Sequence, residues 1–376
     1  MATIYRAEHI GSLLRPQELL EARESHQQGK KTSEELREIE DKYILEALEL
    51  QKQVGVSVYS DGEYRRAWFA GAFEESAEGF VIDPDAPADS RWQGQGRDQA
   101  NATAADLSLT KRAVGARLRQ VRRLTAHESI FLKEHSPGPF KVTLPGVMTR
   151  AIVWYKPGLT DEFYPTRADL VQDMVGMVQR EVQALVSEGV SYIQLDSLDY
   201  VIRLANPQTR ERMKQAGEDP EKELEATIAA DNDSLNDVRS TGVTVALHMC
   251  RGNNRSAWIA EGSYEAAAEK AFNTLQVDRF LLEYDTMRAG GFEPLRFMPK
   301  DKTVVLGLIS SKDPTLESVD RILQRIDEAA KYMSIDNLAI SPQCGFASTS
   351  PGNLLSWDDQ RKKLELVVEV ARKVWG

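Results

Sequence analysis

Eight short apolar runs, each closed by a polar turn and most followed by an amphipathic stretch, recur along the 376 residues. They cover residues 4–10, 56–59, 141–144, 192–195, 243–247, 279–282, 303–309 and 338–340. Strand-helix alternation admits a doubly wound open sheet or a closed barrel. Eight repeats with short connections in the second half favour a (β/α)8 TIM barrel. Helices are read after Arg15-Pro16 and over 33–54, 168–188, 220–238, 264–276, 316–333 and 358–374. The stretch 168–188 carries an apolar stripe of Leu170, Val171, Met174, Val178, Val182, Leu185 and Val186. Between strands two and three, residues 73–139 break the pattern. Gly and polar residues dominate 91–106, and 107–131 reads as a helix with a basic stretch. This stretch lacks apolar segments enough for its own core, so residues 1–376 are read as one barrel with an insertion.

A formal net charge of -11 argues against a general polyanion binder, which needs clustered Lys and Arg, so no nucleic-acid partner is expected. No apolar run reaches the roughly 18–20 residues that span a bilayer, and Met1 to Arg6 has no signal-peptide core. The expectation is a cytoplasmic protein with no membrane partner, acting on small molecules, with self-association left open. Two cysteines occur, Cys250 and Cys344. In a reducing compartment they are not expected to form a disulfide.

In such barrels chemistry lies at the C-terminal ends of the strands. Those ends here carry Ser12, Glu63, Asp196, His248 with Cys250, Glu283, Ser311 and Cys344. His248 and Cys250 are two apart, so on an extended strand they point the same way. Alone, such a pair is often just packed. Joined by Glu283 and Cys344 from later strands, it completes a tetrahedral ligand set of nitrogen, sulfur and oxygen suited to Zn2+. Each carboxylate also has an ordinary alternative. Glu283 has arginines for partners, Asp196 is placed to cap the next helix, and Glu63 stands beside Arg65 and Arg66. A zinc site rich in thiolate is suited to holding a substrate thiol, of ordinary pKa near 8.5, as a thiolate ready for alkyl transfer. Glu63 and Asp196 would then take the ammonium of an amino-acid substrate, and the backbone N–H groups of Gly11-Ser12, entering a helix, its carboxylate.

Six spaced segments in order are similar to one known family. They are Ile10-Gly11-Ser12, Asp61-Gly62-Glu63, Ile193-Gln194-Leu195-Asp196, His248-Met249-Cys250, Glu283 and Pro342-Gln343-Cys344-Gly345. Together they resemble the C-terminal catalytic barrel of the cobalamin-independent methionine synthases. The resemblance implies a zinc-dependent methyltransferase acting on homocysteine. It assigns zinc to His248, Cys250, Glu283 and Cys344, and the amino-acid end of homocysteine to the Ile10-Gly11-Ser12 segment, Glu63 and Asp196.

Two departures stand out. The chain has no room for the additional N-terminal barrel of full-length members. Where they carry a histidine after strand seven, near the leaving amine, this chain reads Ile309-Ser310-Ser311-Lys312-Asp313. No catalytic acid is therefore assigned, and Ser311 and Lys312 occupy its region. The short length and Ser310-Ser311-Lys312 are similar to single-barrel relatives, which include the epoxyalkane coenzyme M transferases. The methyl donor expected is methyltetrahydrofolate or another carrier such as a methylcorrinoid. The alternatives are alkyl transfer to another thiol and a non-catalytic zinc or thiol-binding barrel.

Overall fold

The structure, a computed structural model, describes residues 5–84, 92–106, 111–236 and 238–376, with the backbone alone for 103–106. Its strands are β1 (Ala77–Ile82), β2 (Arg112–Gln120), β3 (Lys141–Pro145), β4 (Tyr192–Ser197), β5 (Thr244–Met249), β6 (Arg279–Glu283), β7 (Thr303–Ile309) and β8 (Leu338–Pro342). Strands β3 to β8 form one parallel sheet in chain order, in a register that sets Asp196 beside His248. They read as near-continuous apolar runs because both faces are covered.

The first two predicted strands close this sheet into a barrel without forming ladders of their own. Ala7 bridges Ile340 of β8, Tyr59 bridges Phe140 beside β3, and Ser57 N–H donates to Ala7 O at 2.7 Å. Ala7 N–H itself donates to the Ser57 hydroxyl. Side chain thus replaces backbone where a ladder bond would run, and the expected strand 4–10 is reduced to single bridges. Ile4 lies outside the described residues.

Along β5, Val245, Leu247 and Met249 face the helices, while Ala246 points into the barrel with Tyr5, Ile10, Val58, Tyr192, Leu281, Val305 and Ala339. This inner cluster is small, and polar groups share the interior. The Glu8 carboxylate, fully buried, accepts from Arg279 at 2.9 Å and Tyr192 Oη at 2.9 Å, with Lys141 Nζ at 3.5 Å. Lys141 also donates to His9 O and to Gln194 Oε1. Gln194 in turn donates to Ile10 O and to Asp196 Oδ1, each at 2.7 Å. A polar column thus runs from Glu8 to the C-terminal rim.

The outer helices follow their sequence signals closely where capping is explicit. Ser33–Val54, Arg167–Glu188 and Trp357–Trp375 each open with a capping box, on Thr32 and Glu35, Thr166 and Asp169, and Ser356 and Asp359. Residues 316–333 shorten to Val319–Ala329, because Ser318 supplies the cap and Glu317 instead accepts from Ser310 N–H at 2.7 Å.

The insertion corrects the expected helix over 107–131. Residues 107–110 lie outside the described residues, Arg112–Gln120 is strand β2, and a helix begins only at Ala126. Val114 and Leu118 fit either period. What decides is the antiparallel partner β1, whose Phe80 pairs with Val114 and packs edge-on against Trp154 at 4.9 Å. The helix Ala126–His135 packs on Arg167–Glu188, so it belongs to the barrel wall. Residues 92–106 lie on the loop after β5, with Gln93 bridging Trp258 and Asn254 Nδ2 donating to Ala100 O. Gly96 is needed there, since a Cβ would sit 1.5 Å from Arg255 O. No helix among the described residues is long and apolar enough to cross a membrane.

Replacing Glu8 with Ala would strand the charges of Lys141 and Arg279 inside the barrel. Glu8→Ala is expected to cost about 3–5 kcal/mol in urea unfolding, and a cost below about 1 kcal/mol would refute the lock. Asp231, on the helix Pro220–Ser234, is buried and accepts from Tyr200 Oη at 2.8 Å. Burial pushes its pKa up to about 7. The folded state therefore holds a proton that the unfolded state releases near pH 3.9, and the associated stability is lost as pH rises through about 7. Asp231→Asn should stabilise at pH values above that transition and change little below the unfolded pKa. An equal change in the urea midpoint in both ranges would refute this.

Candidate metal centre

β5 ends by turning His248 and, one residue beyond the strand, Cys250 to the inside of the rim. β6 ends on Glu283, and Cys344 follows β8 by two residues. One ligand atom from each of these four buried residues lies within 4.8 Å of every other. The two sulfurs are 3.7 Å apart. That is far beyond a disulfide and close to the ~3.8 Å edge of a tetrahedron with zinc-sulfur bonds of about 2.3 Å.

The surrounding groups prepare these atoms. His248 Nδ1 faces Leu281 O at 3.3 Å, and its Nε2 has no hydrogen-bond partner among the described residues. Donation from Nδ1 leaves the Nε2 lone pair free for a metal. Burial opposes charge on this imidazole, yet the Cys344 sulfur and the carboxylates of Asp196 and Glu283 raise its pKa to about 9. A cation is favoured at this point. Cys344 is held well below the ordinary thiol range, first by the neighbouring Cys250 thiol, while Cys250 is pushed correspondingly up. Glu283 accepts from Arg251 N–H at 2.7 Å and from Gln343 Nε2 at 2.6 Å, and Gln343 Oε1 accepts from Ser311 Oγ at 3.1 Å. The ordinary alternative of an arginine partner is weak here. Arg288 approaches Glu283 only to 4.0 Å and makes both its carboxylate bonds to Asp285. An orphaned imidazole nitrogen, two adjacent sulfurs and an oriented carboxylate fit zinc.

Beside this cluster lie Glu63 and Asp196. Glu63 Oε1 accepts from Thr143 Oγ1 at 3.1 Å, and Oε2 has no partner among the described residues. The arginines that follow it are occupied elsewhere, Arg65 with Glu40 and Asp41, Arg66 with Glu128 and Thr143. Asp196 accepts from Gln194 rather than capping a helix. Burial, reinforced by Asp196, pushes Glu63 up to about 7, although Arg66 and Arg15 pull against it. Burial likewise pushes Asp196 up to about 6 against the pull of His248. Glu63 adopts φ 57°, a left-handed conformation that costs a non-glycine residue energy. Its amide bonds Asp61 Oδ1 and its carbonyl accepts from Arg15, which hold it there.

The helix expected to begin at the third anchor needs correction. Gly11-Ser12 does not enter a helix, since the first helix is Gln17–Gln27, and the Leu13 and Leu14 amides are committed to Gly62 O and Gln360 Oε1. The helix-end argument for binding a carboxylate there fails. Gly11 instead brings the backbone against Glu63, where a Cβ would lie 2.5 Å from Oε1, and Gly345 packs on Ser12 Oγ in the same manner. The Ile10 side chain is packed inside the barrel and its carbonyl accepts from Gln194. Sequence reasoning missed Thr143, Gln194 and Gln343 as supports. Gln343 adjoins Cys344 and Gln194 stands two residues before Asp196, each within a quoted motif, which was the available signal. A cavity of about 310 Å³ lined by Tyr284, Leu308, Arg321 and Arg325 touches none of the four cluster residues.

Known proteins are similar to this chain over most of its length. The chain is 36% identical over 378 residues to the uncharacterized protein YxjH of Bacillus subtilis, covering 99% of this chain and 95% of that one. It is 25% identical over 338 residues to a methionine synthase of Sulfurisphaera tokodaii, covering 89% and 84%. A solved structure from Listeria monocytogenes, provisionally described as a vitamin-B12 independent methionine synthase, superposes with a TM-score of 0.72 at 27% identity over 100% of this chain and 99% of that one. The profile of the cobalamin-independent synthase catalytic domain matches residues 5–373, and the chain belongs to that family.

Proposed function

We propose that this chain is a zinc-dependent methyltransferase that methylates homocysteine to methionine, with zinc held by His248, Cys250, Glu283 and Cys344. The donor is methyltetrahydrofolate or another methyl carrier such as a methylcorrinoid. What supports the reading is a cluster of four groups that could hold a metal ion, beside the buried carboxylates of Glu63 and Asp196, with Glu63 Oε2 unpartnered among the described residues. Zinc bound there supplies the positive charge that keeps a thiol ionised at neutral pH. Glu63 and Asp196 receive the acceptor's ammonium, and the uncommitted Oε2 of Glu63 is the atom that meets it. Gln343 and the Arg251 amide fix the Glu283 carboxylate, while the Ser12 segment closes the other side. Burial of the rim excludes water from the ionised sulfur. The S. tokodaii relative, named a methionine synthase, supports the same acceptor.

A sulfonate thiol such as coenzyme M would need a free cation where this rim offers Glu63 and Asp196. The nearby Arg15 and Arg66 are committed to backbone carbonyls and to Glu128. Calorimetric titration of the zinc-loaded protein should show homocysteine binding and weak or no coenzyme M binding. Tight binding of coenzyme M alone would overturn the acceptor. Turnover is expected with at least one of the two donor classes, and stoichiometric zinc without turnover on either would point to a non-catalytic barrel.

Cys344→Ser should lower zinc content while far-UV circular dichroism stays native, whereas full zinc retention would remove Cys344 from the ligand set. Glu63→Gln should weaken homocysteine binding by roughly 10- to 100-fold, the range for a hydrogen bond to a charged group, and leave zinc in place. In the unaltered protein, homocysteine affinity should fall as pH drops through about 7 and then 6, where Glu63 and Asp196 take up protons. A flat affinity across that range would count against both carboxylates as anchors.

A further inference from the structure

Four lysines are buried among the described residues, Lys141, Lys302, Lys312 and Lys363. Three have a carboxylate within reach, Glu8 at 3.5 Å, Asp301 at 3.8 Å and Glu317 at 3.1 Å respectively. Lys312 has none within 4.0 Å among the described residues. Its ammonium donates to Asn253 Oδ1 at 2.5 Å and to Gly252 O at 3.1 Å. Both acceptors are neutral, and an ammonium has three N–H groups. A buried charge without a counter-charge is costly, so its compensation must come from beyond these contacts.

The surroundings identify it. Gly252 also donates its N–H to Cys250 Sγ at 3.3 Å, and Asn253 Nδ2 donates to the carbonyl of Gly345, the neighbour of Cys344. Lys312 is thus tied to the loop after β5 that carries Cys250, and through Asn253 to the loop after β8 that carries Cys344. Burial pulls the Lys312 ammonium toward its neutral form, and the neighbouring Cys344, Glu283 and Cys250 pull it back. Two thiolates and a carboxylate exceed the charge of a divalent ion by one, and a substrate thiolate raises the excess to two in a buried place. Arg288, the other cation near Glu283, is already paired with Asp285.

We infer that Lys312 is the counter-cation of the thiolate centre, a positioning residue whose ammonium lets a second anionic sulfur, that of the substrate, enter the buried rim. This rests on the methyltransferase reading for the identity of the thiol, though not for the charge argument.

The test compares cobalt(II)-loaded wild-type protein with Lys312→Gln and Lys312→Met. Each is titrated with homocysteine and, in parallel, with 2-mercaptoethanol between about pH 6 and 9, a span that includes the ordinary thiol pKa near 8.5. The readout is thiolate-to-cobalt charge-transfer absorption, with cobalt content measured separately. Both variants should keep cobalt and show the half-maximal pH of the thiolate band raised by about one unit, a tenfold loss of thiolate binding at fixed pH. An unchanged midpoint in both variants overturns the inference. Wild-type behaviour in Lys312→Gln alone does so too, since Gln keeps a hydrogen bond to Asn253 and would mark a structural tie. Loss of cobalt from both variants with the fold intact also assigns Lys312 to structure. A wild-type band with 2-mercaptoethanol but not homocysteine overturns the acceptor reading alone, and no band with either thiol overturns both.

Discussion

The carboxylate of Glu8, sealed inside the barrel, is the interaction on which the rest depends. A lone buried charge would be prohibitive. Arg279 from β6, Lys141 from β3 and the Tyr192 hydroxyl from β4 surround it, so one residue ties the opening segment to three strands. That segment has Ala7 as its single bridge to β8, supplemented by bonds from Ser57 to Ala7 and from Arg6 to the Leu338 carbonyl. Fixing Glu8 fixes Ile10, Gly11 and Ser12 at the rim. The same Lys141 reaches Gln194, which orients Asp196, so floor and rim share one hydrogen-bonded column.

At the rim the balance of charge is deliberate in the physical sense that most nearby cations are already engaged. Arg66 is bound by Glu128, Arg15 by carbonyls of four residues including Glu63, and Arg288 by Asp285. Within the cluster, a carboxylate oxygen of Glu63 and the Nε2 of His248 lack a partner among the described residues, and two sulfurs lie beside them. Such a place attracts a metal ion and an ammonium. The left-handed backbone at Glu63, costing on the order of 1–3 kcal/mol, is held by Asp61 and Arg15 to aim that oxygen inward.

Much of this was legible in the sequence because strand ends in a barrel converge. His248, Cys250, Glu283 and Cys344 are far apart in the chain, yet placing each at a strand terminus brought them to one rim. Helical periodicity also read well, as over 33–54 and 168–188, where the helices Ser33–Val54 and Arg167–Glu188 form. Long-range partners were not legible. Val114 and Leu118 satisfy helix and strand periods alike, and only the facing β1 decides between them. The helix entry expected at Gly11-Ser12 failed for a similar reason. The helix start lies five residues beyond Ser12, and the intervening amides find partners in Gly62 and Gln360, which no local pattern announces. Gln343 was visible inside its motif, but its grip on Glu283 from one side and Ser311 on the other is a property of three dimensions.

The closure of the barrel through isolated bridges at Ala7 and Tyr59 makes that junction its thinnest seam, with few backbone bonds to break before the wall parts. Ser12 and Glu63 stand just beyond the two edges of that seam. Leu13 N–H donates to Gly62 O between their flanking residues. A molecule gripping both edges would act as a suture, so amide hydrogen exchange along 5–13 and 57–63 becomes a direct gauge of occupancy, and occupancy becomes a source of mechanical coherence for the whole wall.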